Sequence, residues 1–303
     1  MKRVIVTGGT GFIGNHTVLA LLKLGYEVHL TSSRHDAFPL QKSNLFFHTC
    51  DLLDEAQQKK LFSDVRPSHL LHLAWDVTHG EFWTTENNLR WVQASLSLLK
   101  YFHQFGGKRT VFAGTCAEYD WKHGYCVEGL TPLIPNTLYG TCKNSLNSIV
   151  QCYCDLNNIS HAWGRVFHLY GPQEGSSRFV PSIICSMLRQ KTVKCSQGTQ
   201  IRDFMHVEDV SSAFVHLLNS EVQGDINIAS GLAVSLKSVI KLIAKGTNYS
   251  GGIDFGAIPM PQSEPSLLVG AVKRLQNEVV FFPKYNLRQG LKSSIQYWER
   301  NQV

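Results

Sequence analysis

The 303-residue chain is short of charge, with Asp, Glu, Lys and Arg together at 17%. Charge this sparse and scattered excludes a self-repelling disordered polymer. The net charge of +6 includes no long basic run, so it suits a small anionic ligand such as a nucleotide better than nucleic acid. No apolar stretch approaches the roughly 20 residues that a membrane-spanning helix needs. Neither a nucleic-acid nor a membrane partner is therefore expected. The eight cysteines, at 50, 116, 126, 142, 152, 154, 185 and 195, include no Cys-x-x-Cys pair and no zinc-finger spacing. That excludes a metal finger and reads as the reduced thiols of a cytoplasmic protein without a metal. Met1-Lys-Arg runs straight into an apolar strand, which as read leaves no room for a secretory leader. Repeats and low-complexity segments are missing too.

What is present is an alternation. Short apolar strands at 3–7, 26–31, 44–49, 69–74, 108–114 and 160–166 are separated by helical periodicity at 12–24, 54–62, 86–105 and from Tyr139 to about 157. Repeated β-α-β units with near-continuous apolar strands predict an α/β fold, a Rossmann-type doubly wound parallel sheet. Beyond Tyr170-Gly-Pro172 the pattern loosens into a helix over 181–189, a strand pair at 193–196 and 200–206, and a helix over 207–219. Residues 251–265, rich in Gly and Pro, read as loop. The expected organisation is a dinucleotide-binding domain over 1–170, with 200–230 returning to it. A smaller mixed α/β substrate lobe takes 171–199 and 231–303.

Gly8, Gly11 and Gly14, in Thr7-Gly-Gly-Thr-Gly-Phe12-Ile13-Gly14, join the first strand to the first helix. Glycines so spaced permit a tight turn, close approach to a pyrophosphate, and close packing of helix on strand. Free N–H groups at the helix start face the anion. An NAD site places an acid about 20 residues further on, on the ribose hydroxyls. Here strand two ends Thr31-Ser32-Ser33-Arg34, and Asp36 comes too late. Ser33 and Arg34 suit a 2′-phosphate, so NADP(H) is favoured and NAD(H) stays open. Asp51, with Leu52 after the third strand, could bond the adenine amino group or cap the helix that starts near Asp54.

Tyr139 and Lys143 are four apart on a helix and share one face. A cation beside a phenol lowers its pKa and fits it for proton transfer. With these residues the chain resembles the extended short-chain dehydrogenase/reductase family, in its nucleotide-sugar epimerase/dehydratase branch. Gly8-x-x-Gly11-x-x-Gly14 is similar to the family's loop, and Leu73-Ala74 to its cofactor-contacting strand end. Gly114-Thr115-Cys-Ala-Glu118-Tyr119 resembles the segment carrying the catalytic Ser/Thr, which places that role on Thr115. Tyr139 and Lys143 match the base and its activator. Arg165-Val-Phe-His168-Leu-Tyr170-Gly-Pro resembles an Arg-x-x-Asn-x-Tyr-Gly-Pro strand, with His168 where Asn is usual. Arg202-Asp203-Phe204-Met-His206-Val207-x-Asp209 resembles a motif whose arginine meets the substrate's nucleotide.

The resemblance implies a nucleotide-diphosphate sugar as substrate, with Glu118, His168, Arg178, Val180 and Arg202 around it. It also implies a homodimer through helices 86–105 and 137–158. Dehydratases of this branch carry Asp-Glu directly after the catalytic Thr, where this chain has Cys116-Ala117, so a 4,6-dehydratase is not expected. Trp91 stands near where a family helix often carries Asn, and no role is carried over to it. The expected chemistry is NADPH-dependent reduction of a keto group, at C4 of a keto-deoxysugar, with Tyr139 giving the proton. A redox-neutral NAD-dependent 4-epimerase and a non-catalytic nucleotide-binding module are the alternatives.

Overall fold

The computed structural model describes residues 2–33, 42–260 and 264–301. In chain order the first half comprises β1 (Arg3–Thr7), α1 (Gly14–Lys23), β2 (Glu27–Ser32), β3 (Leu45–Thr49), α2 (Glu55–Val65), β4 (His69–His72), α3 (Asn87–Gln104) and β5 (Arg109–Thr115). Two single-turn helices precede β6 (Tyr125–Cys126), α4 (Leu138–Leu156), β7 (Ser160–Val166), β8 (His168–Tyr170) and α5 (Phe179–Leu188). Next come β9 (Val193–Cys195), β10 (Ile201–His206), α6 (Val207–Asn219), β11 (Gly224–Ile228), β12 (Ala233–Ser235) and α7 (Leu236–Gly246). β13 (Ile253–Phe255), β14 (Leu267–Gly270), α8 (Lys273–Asn277) and α9 (Leu287–Asn301) complete the chain.

Seven parallel strands form the main sheet, in the order β3-β2-β1-β4-β5-β7-β11. The strands are apolar at successive positions because helices cover both faces. Val4 and Val6 pack with Val18, Leu21 and Phe214 from α1 and α6. Ile5, between them, packs on the other face with Phe62, Leu98, Phe102 and Leu146 from α2, α3 and α4. The order reverses between β1 and β4, which opens a crevice at the carboxyl ends of those strands. A second sheet runs β12-β10-β14-β6, with β8 also pairing to β10. A separate core of Tyr170, Ile184, Met187, Ile240, Ile243, Leu291 and Ile295 sits under α5, α7 and α9.

Three departures from the sequence expectation appear. The strands at 193–195 and 201–206 do not pair with each other. β9 pairs with β13, a strand inside the segment read as loop, while β10 lies between β12 and β14. Of residues 200–230, α6 and β11 return to the main sheet but β10 stays in the second. All eight cysteines are free, and no helix among the described residues is long and apolar enough to cross a membrane.

Candidate active site

The glycine loop closes tightly on the end of β4. Gly8 has φ +66°, and the Gly11 N–H donates to its carbonyl over 2.9 Å. A Cβ on Gly8 would lie 2.9 Å from the Ala74 nitrogen, and one on Gly14 only 2.1 Å from the Gly8 oxygen. Both positions are closed to a side chain. A Cβ on Gly11 would meet nothing but that oxygen, at 3.1 Å, so its outer side is bare backbone that a phosphate can approach. Phe12 and Ile13 then lead into α1. The Thr7 hydroxyl ties the crevice floor together, accepting from the Leu73 and Ala74 N–H groups at 3.2 Å and pairing with His72 Nδ1 at 2.7 Å.

These residues fit a dinucleotide. Ser33 is exposed just past β2, and Arg34 lies outside the described residues. Asp51 is exposed and accepts from the Leu53 N–H, above a buried Leu52. The cap that sequence offered to Asp51 is made by Asp54, whose carboxylate accepts from the Ala56 and Gln57 N–H groups.

Across the crevice, Thr115 ends β5 while Tyr139 and Lys143 occupy the first two turns of α4. Thr137 starts that helix, its hydroxyl accepting from the Gly140 N–H at 3.1 Å. All three side chains are buried. The Thr115 hydroxyl accepts from the Ala117 N–H at 3.2 Å and lies near enough to the Tyr139 phenol to act on its pKa. Lys143 Nζ donates to the Ala113 carbonyl at 2.9 Å and sits 3.7 Å over the Trp75 ring. Burial pushes the Lys143 ammonium down to about 7, with Glu118 pulling weakly the other way.

The expected acidified phenol is not what the structure has. Burial raises Tyr139 well above an ordinary phenol, and Thr115 offsets only part of that rise. The ammonium is spent on a backbone carbonyl and an indole face, so desolvation of the phenol prevails.

Glu118 is a second correction. Expected beside substrate, it is fully buried, accepting from the Thr115 N–H at 2.8 Å, Trp163 Nε1 at 3.0 Å and Arg165 Nε at 2.6 Å. Arg165 also pairs with Asp225 at 3.0 Å. The carboxylate therefore braces the backbone of Thr115 from behind.

Arg202 does not present a free fork either. It is buried, bonded to Glu264 at 2.8 Å and to the Ile201 carbonyl at 2.9 Å. Its neighbour Asp203 instead accepts from Ser230, Gly231 and Gly270. His168 lies on β8 opposite Phe204, its Nδ1 buried without a hydrogen-bond partner among the described residues. Burial and Arg202 hold its pKa down to about 3. Val180 is buried in the core beneath α5. Arg178, at the start of α5, donates to the Val77 carbonyl at 2.6 Å and lies 5.4 Å over the Phe82 ring. Its charge is felt by both Tyr139 and Glu174.

The sequence reading missed the segment between β4 and α3. Phe82 packs edge-on to Tyr139 at 5.0 Å, Trp83 at 5.9 Å and Trp75 at 6.3 Å. Asn88 anchors the segment, accepting from Trp75 Nε1 at 2.9 Å and donating to the Phe82 and Thr85 carbonyls at 2.8 Å. The Trp91 ring stacks on Trp75 at 6.0 Å. The available signal was the crowding of Trp75, Phe82 and Trp83 into one loop. No group of three or more His, Cys, Asp or Glu that could hold a metal occurs among the described residues.

Residues 4–229 match the family model described as the NAD dependent epimerase/dehydratase family. A UDP-glucose 4-epimerase of Halalkalibacterium halodurans is 25% identical over 308 residues, 93% of this chain and 91% of that protein. A CDP-abequose synthase of Salmonella typhimurium is 27% identical over 300 residues, 95% and 96% of the two chains. Among solved structures, the UDP-glucose 4-epimerase of Thermotoga maritima with UDP-glucose superposes with a TM-score of 0.87 at 23% identity, over 99% of this chain and 100% of that one.

Proposed function

The chain belongs to the NAD dependent epimerase/dehydratase family, and on that footing we propose that it reduces the keto group, at C4, of a nucleotide-linked keto-deoxysugar with NADPH. The observation that carries this reading is the convergence of Thr115, Tyr139 and Lys143, all three buried, at the crevice beside the glycine loop. Reduction of a carbonyl needs a proton donor at the oxygen that becomes an alkoxide. A buried phenol at that place is the group that can hand a proton to such an oxygen. The bound cofactor supplies hydride. Tyr139 gives its proton to the developing alkoxide, and Thr115 donates a hydrogen bond to the same oxygen. Lys143 gains a hydrogen-bonding partner when a ribose hydroxyl comes within its reach, and Gly8, Gly11 and Gly14 leave backbone open to the pyrophosphate.

Ser33 and Arg34 favour the 2′-phosphate of NADP(H). Cys116 and Ala117 are both buried and offer no carboxylate pair for dehydration. The similarity to a CDP-abequose synthase is compatible with a reductase. The lobe built on the second sheet is the one we assign to the nucleotide, with Arg178 over the Phe82 ring beside Tyr139.

The protein is tested with NADPH and dTDP-, CDP-, GDP- and UDP-linked 4-keto-6-deoxysugars, following loss of reduced-cofactor absorbance. Oxidation of NADPH on one handle is expected. The second reading, a redox-neutral 4-epimerase, is favoured by the similarity to UDP-glucose 4-epimerases. NAD released from the purified protein on denaturation, with no NADPH consumed, would replace the first reading by the second.

A further inference from the structure

The reacting phenol is walled by aromatic rings. Tyr139 carries Phe82, Trp83 and Trp75 edge-on to its own ring. Trp83 meets Trp121 at 6.1 Å and 90°, so the wall continues onto the segment after Thr115. Phe82 and Trp83 lie against each other at 4.2 Å. The indole N–H groups of Trp75 and Trp121 are already given away, to Asn88 and to the Cys116 carbonyl. These two indoles offer no hydrogen bond, and the Trp75 and Phe82 rings already carry the Lys143 ammonium at 3.7 Å and the Arg178 guanidinium at 5.4 Å.

The wall is held from several sides. The Tyr139 N–H donates to the Trp83 carbonyl at 3.2 Å, Asn88 holds the Phe82 carbonyl, and Arg178 holds that of Val77. Trp83 is 36% exposed, so one ring of the wall faces the open side, where a ligand arrives.

We propose that Trp83 and Trp121 form the subsite for an apolar edge of the sugar, and that Trp83 selects a 6-deoxyhexose over the same sugar with its 6-hydroxyl. This rests on the reading of Tyr139 as proton donor to a nucleotide-linked keto sugar. A methyl group beside the reacting carbon loses water against these rings and gains their contact. A hydroxymethyl there loses its water and gains no hydrogen bond from Trp121, whose N–H is held by the Cys116 carbonyl.

The test compares NADPH oxidation with a nucleotide-linked 4-keto-6-deoxyhexose and its 6-hydroxy counterpart, on the handle that wild type turns over. Wild type, Trp83→Ala and Trp83→Phe are assayed. Calorimetric binding of the matching nucleotide-linked 6-deoxyhexose and hexose is measured without cofactor. Wild type is expected to favour the deoxy sugar by about 10- to 100-fold in kcat/KM, the range an apolar pocket achieves. Trp83→Ala should lose most of that ratio, and Trp83→Phe should restore part of it.

Equal kcat/KM for the two sugars in wild type, or an unchanged ratio in Trp83→Ala, overturns the selection while leaving the reductase in place. Binding preference without turnover overturns the reductase and upholds the subsite. Absence of both overturns the subsite as well.

Discussion

Tyr139 and Glu174 give the sharpest single-residue expectations. Tyr139→Phe removes the proton donor and keeps the ring that Phe82, Trp83 and Trp75 pack against. Turnover is expected to fall by about 10²- to 10⁴-fold, with NADPH binding, measured by fluorescence titration, nearly intact. Full activity would remove Tyr139 from its assigned role. Glu174 is 9% exposed and its Oε2 has no hydrogen-bond partner among the described residues. Burial drives its carboxyl from about 4.5 up to about 8, against the opposing pull of Arg178 and a backbone bond to Gly171. A carboxyl whose pKa is raised by folding stabilises the protein fully below the unfolded value and loses that contribution as pH climbs through the folded one. Glu174's own contribution to stability should therefore decline between about pH 4.5 and 8, and Glu174→Gln should remove that component from the pH dependence of thermal melts. Equal slopes would show that Glu174 titrates normally. At this scale the sequence singled out Thr115, Tyr139 and Lys143, which the fold buries at one crevice, but did not show their electrostatics. A spacing of four shows that two side chains share a helix face, and cannot show that Ala113 and Trp75 take the ammonium.

Among the elements, legibility followed burial. Six of the strands placed from sequence lie in the main sheet, and all but the half-exposed edge strand β3 are largely buried because helices cover both faces. β11 escaped because Gly224-Asp-Ile-Asn-Ile alternates polar and apolar residues. Its polar members are satisfied by tertiary contacts: Asn227 accepts from the Tyr119 hydroxyl at 2.8 Å, and Asp225 pairs with Arg165. The segment from Trp75 to Trp83 has no periodicity to read, and only folding brings it against Tyr139. The strand ends β5, β7 and β11 are joined by the buried Glu118–Arg165–Asp225 chain. Removing one member leaves the others without compensation in a dry interior. Arg165→Met is expected to cost about 3–5 kcal/mol in denaturant unfolding, and to lower kcat as the brace on Thr115 slackens. A loss under about 1 kcal/mol would mean the surface-pair regime, and that the network is well hydrated.

On the scale of the whole molecule, Leu89 on α3 and Ile149 and Leu156 on α4 are 55%, 46% and 77% exposed. We expect these neighbouring helices to pair with their counterparts in a second copy, burying the apolar surface. Sedimentation should find a dimer, and Ile149→Lys should shift it toward monomer without altering the far-ultraviolet spectrum. A wild-type monomer at all concentrations would sink this expectation. The connectivity has a separate consequence. β6, from the first half, is hydrogen-bonded to β14, from near the end, while β11 from the second half closes the main sheet beside β7. The two lobes are thus laced through each other rather than strung in series. A single scission after residue 170 would strip β7 of its outer neighbour and leave β6 without a companion. Neither fragment should be competent alone, so a ribosome must release the polypeptide past Ile228 before the main sheet can close and past Gly270 before the second can.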